Sequence, residues 1–451
     1  MQPSFSLFQH LARSARDRSQ ALALATADEE LNFGELRERA LSLGPVFAEG
    51  SAPIVALAAG NRDLAFAAYG ASAACRAFWP LDPAFADARW PVWQALAGRQ
   101  AERLAALPTA GIPWTSARET APELALVVAT SGSSGEAKAV MLSQGNLDAA
   151  AEAANRCLEL EPGDLWLNCL PLFHVGGLAI LWRAARAGAA VFLLERFGID
   201  AVSGVLASRP VTHISLVPAM LTQLVDAGIR PPASLRVALI GGAALAESLF
   251  RKATEAGWPL HPSWGMTETA AQVAAHRPRD GCWRPGLAGR PSPAMQVRDD
   301  ADGRLWLAGP QVMLGYLNPS LRPGLGLIDG WFATGDLGRV EDREVEVLGR
   351  ADDVLVSGGT NVHPVEIESA LAACPGVREV AAAGIPDPVW GDLVVAIVAG
   401  TAEPATLVAW SRAHLRPAAR PRRIVPVAAL PRLAGGKIDR QALRHLALEY
   451  A

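Results

Sequence analysis

Between residues 164 and 240 the chain alternates short, continuous apolar runs with stretches of helix length. The runs are Asp164–Leu170, Ala189–Leu194, Thr212–Val217 (ended by Pro218) and Leu235–Ile240, with a helical pattern at Leu178–Ala187. A run apolar on every residue suits a strand covered on both faces, and strand–helix alternation builds layered α/β sheets. The same rhythm starts earlier. Residues 5–18 read as a helix. Asn32-Phe-Gly-Glu35 reads as a capping box before Leu36, Ala40, Leu41 and Leu43. Pro53–Ala58 reads as a strand and Asp63–Cys75 as a helix, and Phe78–Pro83 closes that unit. Residues 84–120 are rich in Ala, Arg and Pro and carry little pattern. Leu124–Ala129 is another buried strand, and a helix follows Ser143-Gln-Gly-Asn146.

From Gln296 to Val347 the apolar pattern shortens and alternates, with Asp-Gly turns at Asp302-Gly303 and Asp329-Gly330. This predicts a small antiparallel subdomain. Composition changes at Gly349-Arg-Ala-Asp-Asp353. A strand at Val354–Val356, a glycine turn, a helix at Pro364–Ala373, strands at Val377–Ala383 and Leu393–Ala399 and a helix at Ala405–Leu415 follow. The fold class expected is α/β. A large multi-layer N-terminal domain, residues 1–351, combines βα sheets with the small antiparallel subdomain, and a small α+β C-terminal domain spans residues 352–451. The arginine-rich run from Arg412 to Arg440 reads as a solvated surface, or one facing a polyanionic small molecule.

With 51% hydrophobic residues and 19% charged ones, a large core is available. The net charge of −4 argues against nucleic-acid binding by bulk charge. The cysteines (Cys75, Cys157, Cys169, Cys282, Cys374) form no C-x-x-C pair, which fits reduced thiols in a cytoplasmic protein. The histidines show no metal-ligand spacing. Met1-Gln-Pro-Ser-Phe-Ser6 lacks the basic and apolar regions of a signal peptide. No run of about 18 apolar residues could span a membrane. Oligomeric state is left open.

Several short stretches carry chemistry. Thr130-Ser131-Gly132-Ser133-Ser134-Gly135-Glu-Ala-Lys138 follows a strand with hydroxyls, flexible backbone and a cation, a set that suits phosphate oxygens. It is not a Walker A loop, whose Gly-Lys-[Ser/Thr] ending is missing. Gly241-Gly242-Ala243 ends a strand. Trp264-Gly265-Met266-Thr267-Glu268 offers an aromatic ring for a base, a hydroxyl for a phosphate and a carboxylate for Mg²⁺. Asp336, beside a glycine, can accept ribose hydroxyls, and Arg350 follows fourteen residues later. Ser357-Gly358-Gly359 offers bare backbone. Lys437, in Gly435-Gly-Lys-Ile-Asp-Arg440, would stabilise the charge that builds when two anions meet.

These motifs, in this order, resemble those of the adenylate-forming enzymes: acyl-CoA synthetases, luciferases and peptide-synthetase adenylation domains. Trp264 departs from the family's usual tyrosine. The resemblance implies ATP, Mg²⁺ and coenzyme A as cofactors and two half-reactions, from carboxylate to acyl-AMP and then to acyl-CoA thioester. It implies ATP binding by Thr130–Gly135, Lys138, Gly241–Ala243, Trp264–Thr267, Asp336 and Arg350. Thr267, Glu268 and His174 would act in catalysis, Glu268 as metal ligand, and Lys437 as catalytic lysine, while the C-terminal domain would be mobile. Asp352 would be the hinge, and Ser357, Gly358 and Gly359 would approach coenzyme A.

The stretch Leu170-Pro-Leu-Phe-His174 through Trp182-Arg183, with Ser215-Leu-Val-Pro218, resembles more narrowly the o-succinylbenzoate–CoA ligases of menaquinone biosynthesis. His174, Arg183 and Ser215 would then border the acid. That acid has two carboxylates of which one is activated, so an arginine is needed to hold the other, and Arg183 is the candidate. Alternatives are a CoA ligase for another aryl or medium-chain acid, an enzyme that loads a separate carrier protein, and a nucleotide-binding protein without catalysis.

Overall fold

The computed structural model describes residues 5–49, 51–107, 123–130, 138–432 and 438–450. Some helix starts are set by short polar side chains. Ser6, Asn32 and Ser143 each close a capping box, with Gln9, Glu35 and Asn146.

One long sheet carries most of the chain. Its parallel part runs, in spatial order, Leu260–Met266, Val237–Ile240, His213–Leu216, Leu165–Asn168, Ala190–Leu193 and Leu22–Ala25, with Glu30–Asn32 added antiparallel at the edge. Alternate residues of each strand face opposite layers. Trp166 joins the core shared with Leu178, Leu181 and Ala185, while Leu165, Leu167, Ile214 and Leu216 join a second core with Val202, Leu221 and Leu224. Beyond Leu260–Met266 the sheet continues antiparallel, through Ala271–Ala275, Leu287–Pro291, Glu344–Arg350, Phe332–Glu341, Arg304–Ala308 and Gln296–Asp299. The expected antiparallel segment is therefore not a separate body. It is the far end of the main sheet.

A second sheet has the order Gly315–Tyr316, Lys138–Ser143, Leu124–Thr130, Ala77–Leu81, Ile54–Ala58 and Ala101–Leu104. It departs from the sequence reading in two places. Residues 84–120 are not featureless, because Ala86–Ala97 is a helix and Ala101–Leu104 an edge strand parallel to Ile54–Ala58. Pro91 inside the helix and the polar sequence Ala-Glu-Arg-Leu of the strand hide both. Between the glycine- and serine-rich stretch and the helix expected after Ser143 the structure adds a strand, Lys138–Ser143, antiparallel to Leu124–Thr130 with Thr130 opposite Lys138, and the helix begins at Gln144 as expected.

The C-terminal sheet pairs Thr360–Val362, Leu355–Ser357, Gly391–Gly400 and Val377–Asp387, and Arg423–Val427 lies parallel to Gly391–Gly400. The Arg412–Arg440 run is not simply solvated. Arg416 pairs with Glu366, Arg432 with Glu379 and Arg440 with Glu368, and the run contains a strand and ends in the Arg440–Glu449 helix.

Candidate active site

The strand Leu260–Met266 is the spine of the site. It lies parallel to Val237–Ile240 on one edge and antiparallel to Ala271–Ala275 on the other. Gly265 permits the second contact, since a Cβ there would overlap the Ala271 carbonyl. After Met266 the chain turns through Thr267–Thr269 into the left-handed Ala270, which places Glu268 at the strand's end.

Glu268 Oε1 accepts a hydrogen bond from the Tyr316 hydroxyl at 2.9 Å, and its carbonyl accepts one from Met313 N–H at 2.8 Å. The Tyr316 ring lies 5.5 Å from Lys138 Nζ, within cation–π range. Burial, with Glu268 beside it, pushes the Tyr316 hydroxyl's pKa up, so it stays protonated as a donor. Tyr316 thus joins the lysine of the glycine-rich stretch to the carboxylate. The sequence reading missed it. The signal was Gly315-Tyr316 itself, a two-residue strand paired with Lys138–Ser143. Thr130 Oγ1 reaches Lys138 O at 3.3 Å, so both ends of the stretch are tied together. Ser131, Gly132, Ser133, Ser134 and Gly135 lie outside the described residues.

Trp264 does not offer a free ring to solvent. It is 8% exposed, and its indole N–H donates to Asp336 Oδ2 at 2.7 Å. Arg350 Nη1 lies 3.3 Å from Asp336 Oδ1, and the two residues are cross-strand partners. The rest of the Arg350 fork holds Asp352, with Nε at 3.0 Å from Oδ1 and Nη2 at 3.2 Å from Oδ2. Burial opposes the charge on Arg350, but Asp352 and Asp336 outweigh it and raise the pKa. At Gly335 the absence of a Cβ leaves room for the Arg350 guanidinium, which a side chain there would push aside. Thr334 Oγ1 accepts from Asp336 N–H at 3.0 Å and fixes the turn of the backbone. A carboxylate accepts about four hydrogen bonds, so Asp336 keeps capacity for two ribose hydroxyls. Gly241 and Gly242, before Ala243, follow the neighbouring strand. A Cβ on Gly241 would sit 2.8 Å from Ser263 Oγ, and Gly242 has φ 80°.

On the parallel side, His174 is the exposed N-cap of the Val175–Ala187 helix. Arg183, nine residues on, sits roughly 13 Å further along that helix. It is 2% exposed, so it is no surface residue. Its guanidinium lies 5.5 Å from the Trp166 ring centroid, and burial lowers its pKa to about 10. Among the described residues no carboxylate pairs with it. Ser215 is also buried and accepts the Trp166 indole N–H at 3.2 Å. Cys157 and Gln272 lie beside this cluster, and Gln272 Oε1 is buried without a partner among the described residues. An unpaired buried cation is costly unless an anion meets it, so the cluster is suited to an acidic ligand.

Ser357 is buried, and its hydroxyl is unpartnered among the described residues. Gly358 and Gly359 follow with φ 58° and 75°, and Gly358 N–H donates to Trp390 O at 2.8 Å. Lys437 lies outside the described residues. No cluster of three or more metal-ligating side chains occurs among the described residues. The single Glu268 carboxylate, with Oε1 already holding Tyr316, fits Mg²⁺, which takes one or two carboxylates beside substrate phosphates. Among the described residues no helix is long and apolar enough to cross a membrane.

Residues 94–317 match the sequence profile of the AMP-binding enzymes, and residues 366–437 that of the AMP-binding enzyme C-terminal domain. A 2-succinylbenzoate–CoA ligase of Listeria monocytogenes is 34% identical over 325 residues, 71% of this chain and 69% of that one. One of Bacillus cytotoxicus is 34% identical over 338 residues, 72% and 70% of the two chains. Among solved structures, o-succinylbenzoate CoA synthetase from Bacillus subtilis in complex with its acyl-adenylate intermediate is similar at a TM-score of 0.84. The identity is 26%, over 96% of this chain and 97% of that one. ATP-bound MatB from Rhodopseudomonas palustris gives a TM-score of 0.86 at 25% identity, over 98% and 99%.

Proposed function

The chain belongs to the AMP-binding, adenylate-forming enzymes, among the 2-succinylbenzoate–CoA ligases, and from that premise we propose how its own residues carry the reaction. It is an ATP-dependent acid–thiol ligase. A carboxylate oxygen attacks the α-phosphorus of ATP and pyrophosphate leaves. The thiol of coenzyme A then attacks the acyl carbon of the mixed anhydride and AMP leaves. The acid is o-succinylbenzoate and the product o-succinylbenzoyl-CoA, a step in menaquinone biosynthesis.

The ribose hydroxyls are assigned to Asp336, steadied by Trp264 and Arg350. The phosphates are assigned to Lys138, Thr130 and the Ser131–Gly135 stretch, with Thr267 at the α-phosphate and Gly241–Ala243 along the base. Mg²⁺ at Glu268 would neutralise phosphate charge. Lys437 would bridge the acid and the α-phosphate, and His174 would border the reacting carboxylate. Ser357, Gly358 and Gly359 would line the path of the pantetheine thiol. We divide the chain at Asp352 and take residues 352–451 as the part that moves between the two half-reactions. Its setting is the cytoplasm, in keeping with five free cysteines.

One observation carries the choice of acid: the buried guanidinium of Arg183, with no carboxylate beside it among the described residues. The non-reacting carboxylate of o-succinylbenzoate supplies the missing anion, held with Ser215. The test is pyrophosphate release with o-succinylbenzoate, benzoate and alkanoates, with Arg183→Met and Lys437→Ala alongside. Preference for o-succinylbenzoate that disappears in Arg183→Met supports the reading. Better turnover of benzoate or alkanoates refutes the choice of acid. Undiminished adenylation by Lys437→Ala refutes the role of that lysine.

A further inference from the structure

Trp166 is wholly buried, in a strand whose neighbour places His213 directly opposite it. Ser215, two residues beyond His213, lies on the same face of the sheet. Two contacts radiate from the one indole. Its ring faces the Arg183 guanidinium at 5.5 Å, and its N–H donates to Ser215 Oγ at 3.2 Å. A ring needed only as filler would require neither. The second contact has a directional consequence. Ser215 Oγ already accepts a hydrogen from Trp166, so its own hydrogen is available to donate, and among the described residues no acceptor takes it. The guanidinium likewise has no anion among the described residues. Two buried donors, one neutral and one charged, are thus held by a single side chain and left without an acceptor.

We propose that Trp166 is the positioning residue for acid specificity: its ring fixes Arg183 and its N–H turns the Ser215 hydroxyl, so that both donors converge on the non-reacting carboxylate. This rests on the assignment of that carboxylate to Arg183 and extends it. His213 stacks on the same indole at 5.1 Å, and burial lowers its pKa to about 4, so it brings no second cation to the ring at neutral pH. Trp166 acts through its two neighbours and needs no contact with the reacting atoms.

The experiment compares o-succinylbenzoate with 4-oxo-4-phenylbutanoate, the same acid without the ring carboxylate. Pyrophosphate release is measured for the wild type, Trp166→Phe, Trp166→Leu, Arg183→Met and the Trp166→Leu/Arg183→Met double variant. Trp166→Phe keeps the ring and loses the N–H, and should raise KM for the dicarboxylate about fivefold. Trp166→Leu loses both and should raise it about 30-fold. In each case kcat, and both constants for the monocarboxylate, should stay within about twofold. The double variant should be worse than Arg183→Met by no more than about fivefold, the share that passes through Ser215, because the rest of the effect of Trp166 passes through that arginine. A double variant in which the full loss of Trp166→Leu, about 30-fold, multiplies that of Arg183→Met overturns the proposal. So do equal losses on the two acids, which mark damaged packing, and a Trp166→Phe enzyme of unchanged selectivity. A wild type that does not favour the dicarboxylate overturns the choice of acid and Trp166 with it. A wild type that does, with variants that keep the preference, overturns Trp166 alone.

Discussion

Trp264 stands where the adenylate-forming enzymes usually carry tyrosine, and its indole N–H reaches the carboxylate assigned to ribose at 2.7 Å. Trp264→Phe keeps a ring against the core and deletes that donor. Hydrogen bonds to charged groups are worth about 1.5–3 kcal/mol. The Asp336 side chain is only 13% exposed, so water replaces the lost donor poorly. A loss of about 2 kcal/mol raises KM for ATP, or Kd for AMP, roughly 30-fold. Arg350, on the other oxygen, keeps the carboxylate in place but leaves it free to rotate. The assay is ATP-dependent pyrophosphate release with calorimetry of AMP binding, repeated with 2′,3′-dideoxy-ATP. The loss should be confined to the nucleotide that has ribose hydroxyls. An equal loss on both nucleotides, or KM within twofold of wild type, refutes the reasoning.

Tyr316→Phe removes the hydroxyl from Glu268 and should raise the Mg²⁺ concentration needed for half-maximal ATP binding about tenfold, seen by metal titration with stability unchanged. Gly265→Ala drives a Cβ into the Ala271 carbonyl and should lower stability in urea unfolding by more than about 3 kcal/mol; a smaller change would mean that the two strands can separate there. Burial lowers the His213 pKa from 6.5 to about 4, so between these values the unfolded chain binds the extra proton. The associated stability is present above about pH 6.5 and lost as pH falls through about 4, on the order of 3 kcal/mol in all. His213→Gln should flatten that part of the stability–pH curve, measured by urea melts from pH 4 to 7.

The parallel half of the fold was legible because strands buried on both faces show as unbroken apolar runs, and Leu165–Asn168, His213–Leu216 and Val237–Ile240 all fall within the predicted ones. Lys138–Ser143 was missed because its run begins with a lysine and follows the glycine-rich stretch so closely that it reads as part of a loop. The Arg440–Glu449 helix was hidden by arginines that look solvated in sequence. Arg440 is in fact paired with Glu368, seventy-two residues away, and no local pattern reports such a partner. In the site, sequence supplied Trp264, Glu268, Asp336, Arg350 and Arg183 as chemistry. It did not supply the contacts among them. Tyr316 and Trp166 escaped notice because each acts by touching residues distant in the chain.

The strand Leu260–Met266 changes the sense of the sheet, parallel on one edge and antiparallel on the other. The residues proposed for the acid, Arg183 and Ser215, lie on the parallel side, and those proposed for the ribose, Asp336 and Arg350, on the antiparallel one. On that assignment, recognition of the acid and recognition of the ribose are separable parts that meet at a single seam. A graft that replaces residues 164–240 and leaves the chain from Leu260 onward intact should change which acid is activated while the handling of ATP carries over. Breaks placed within the seam strand itself would disrupt both.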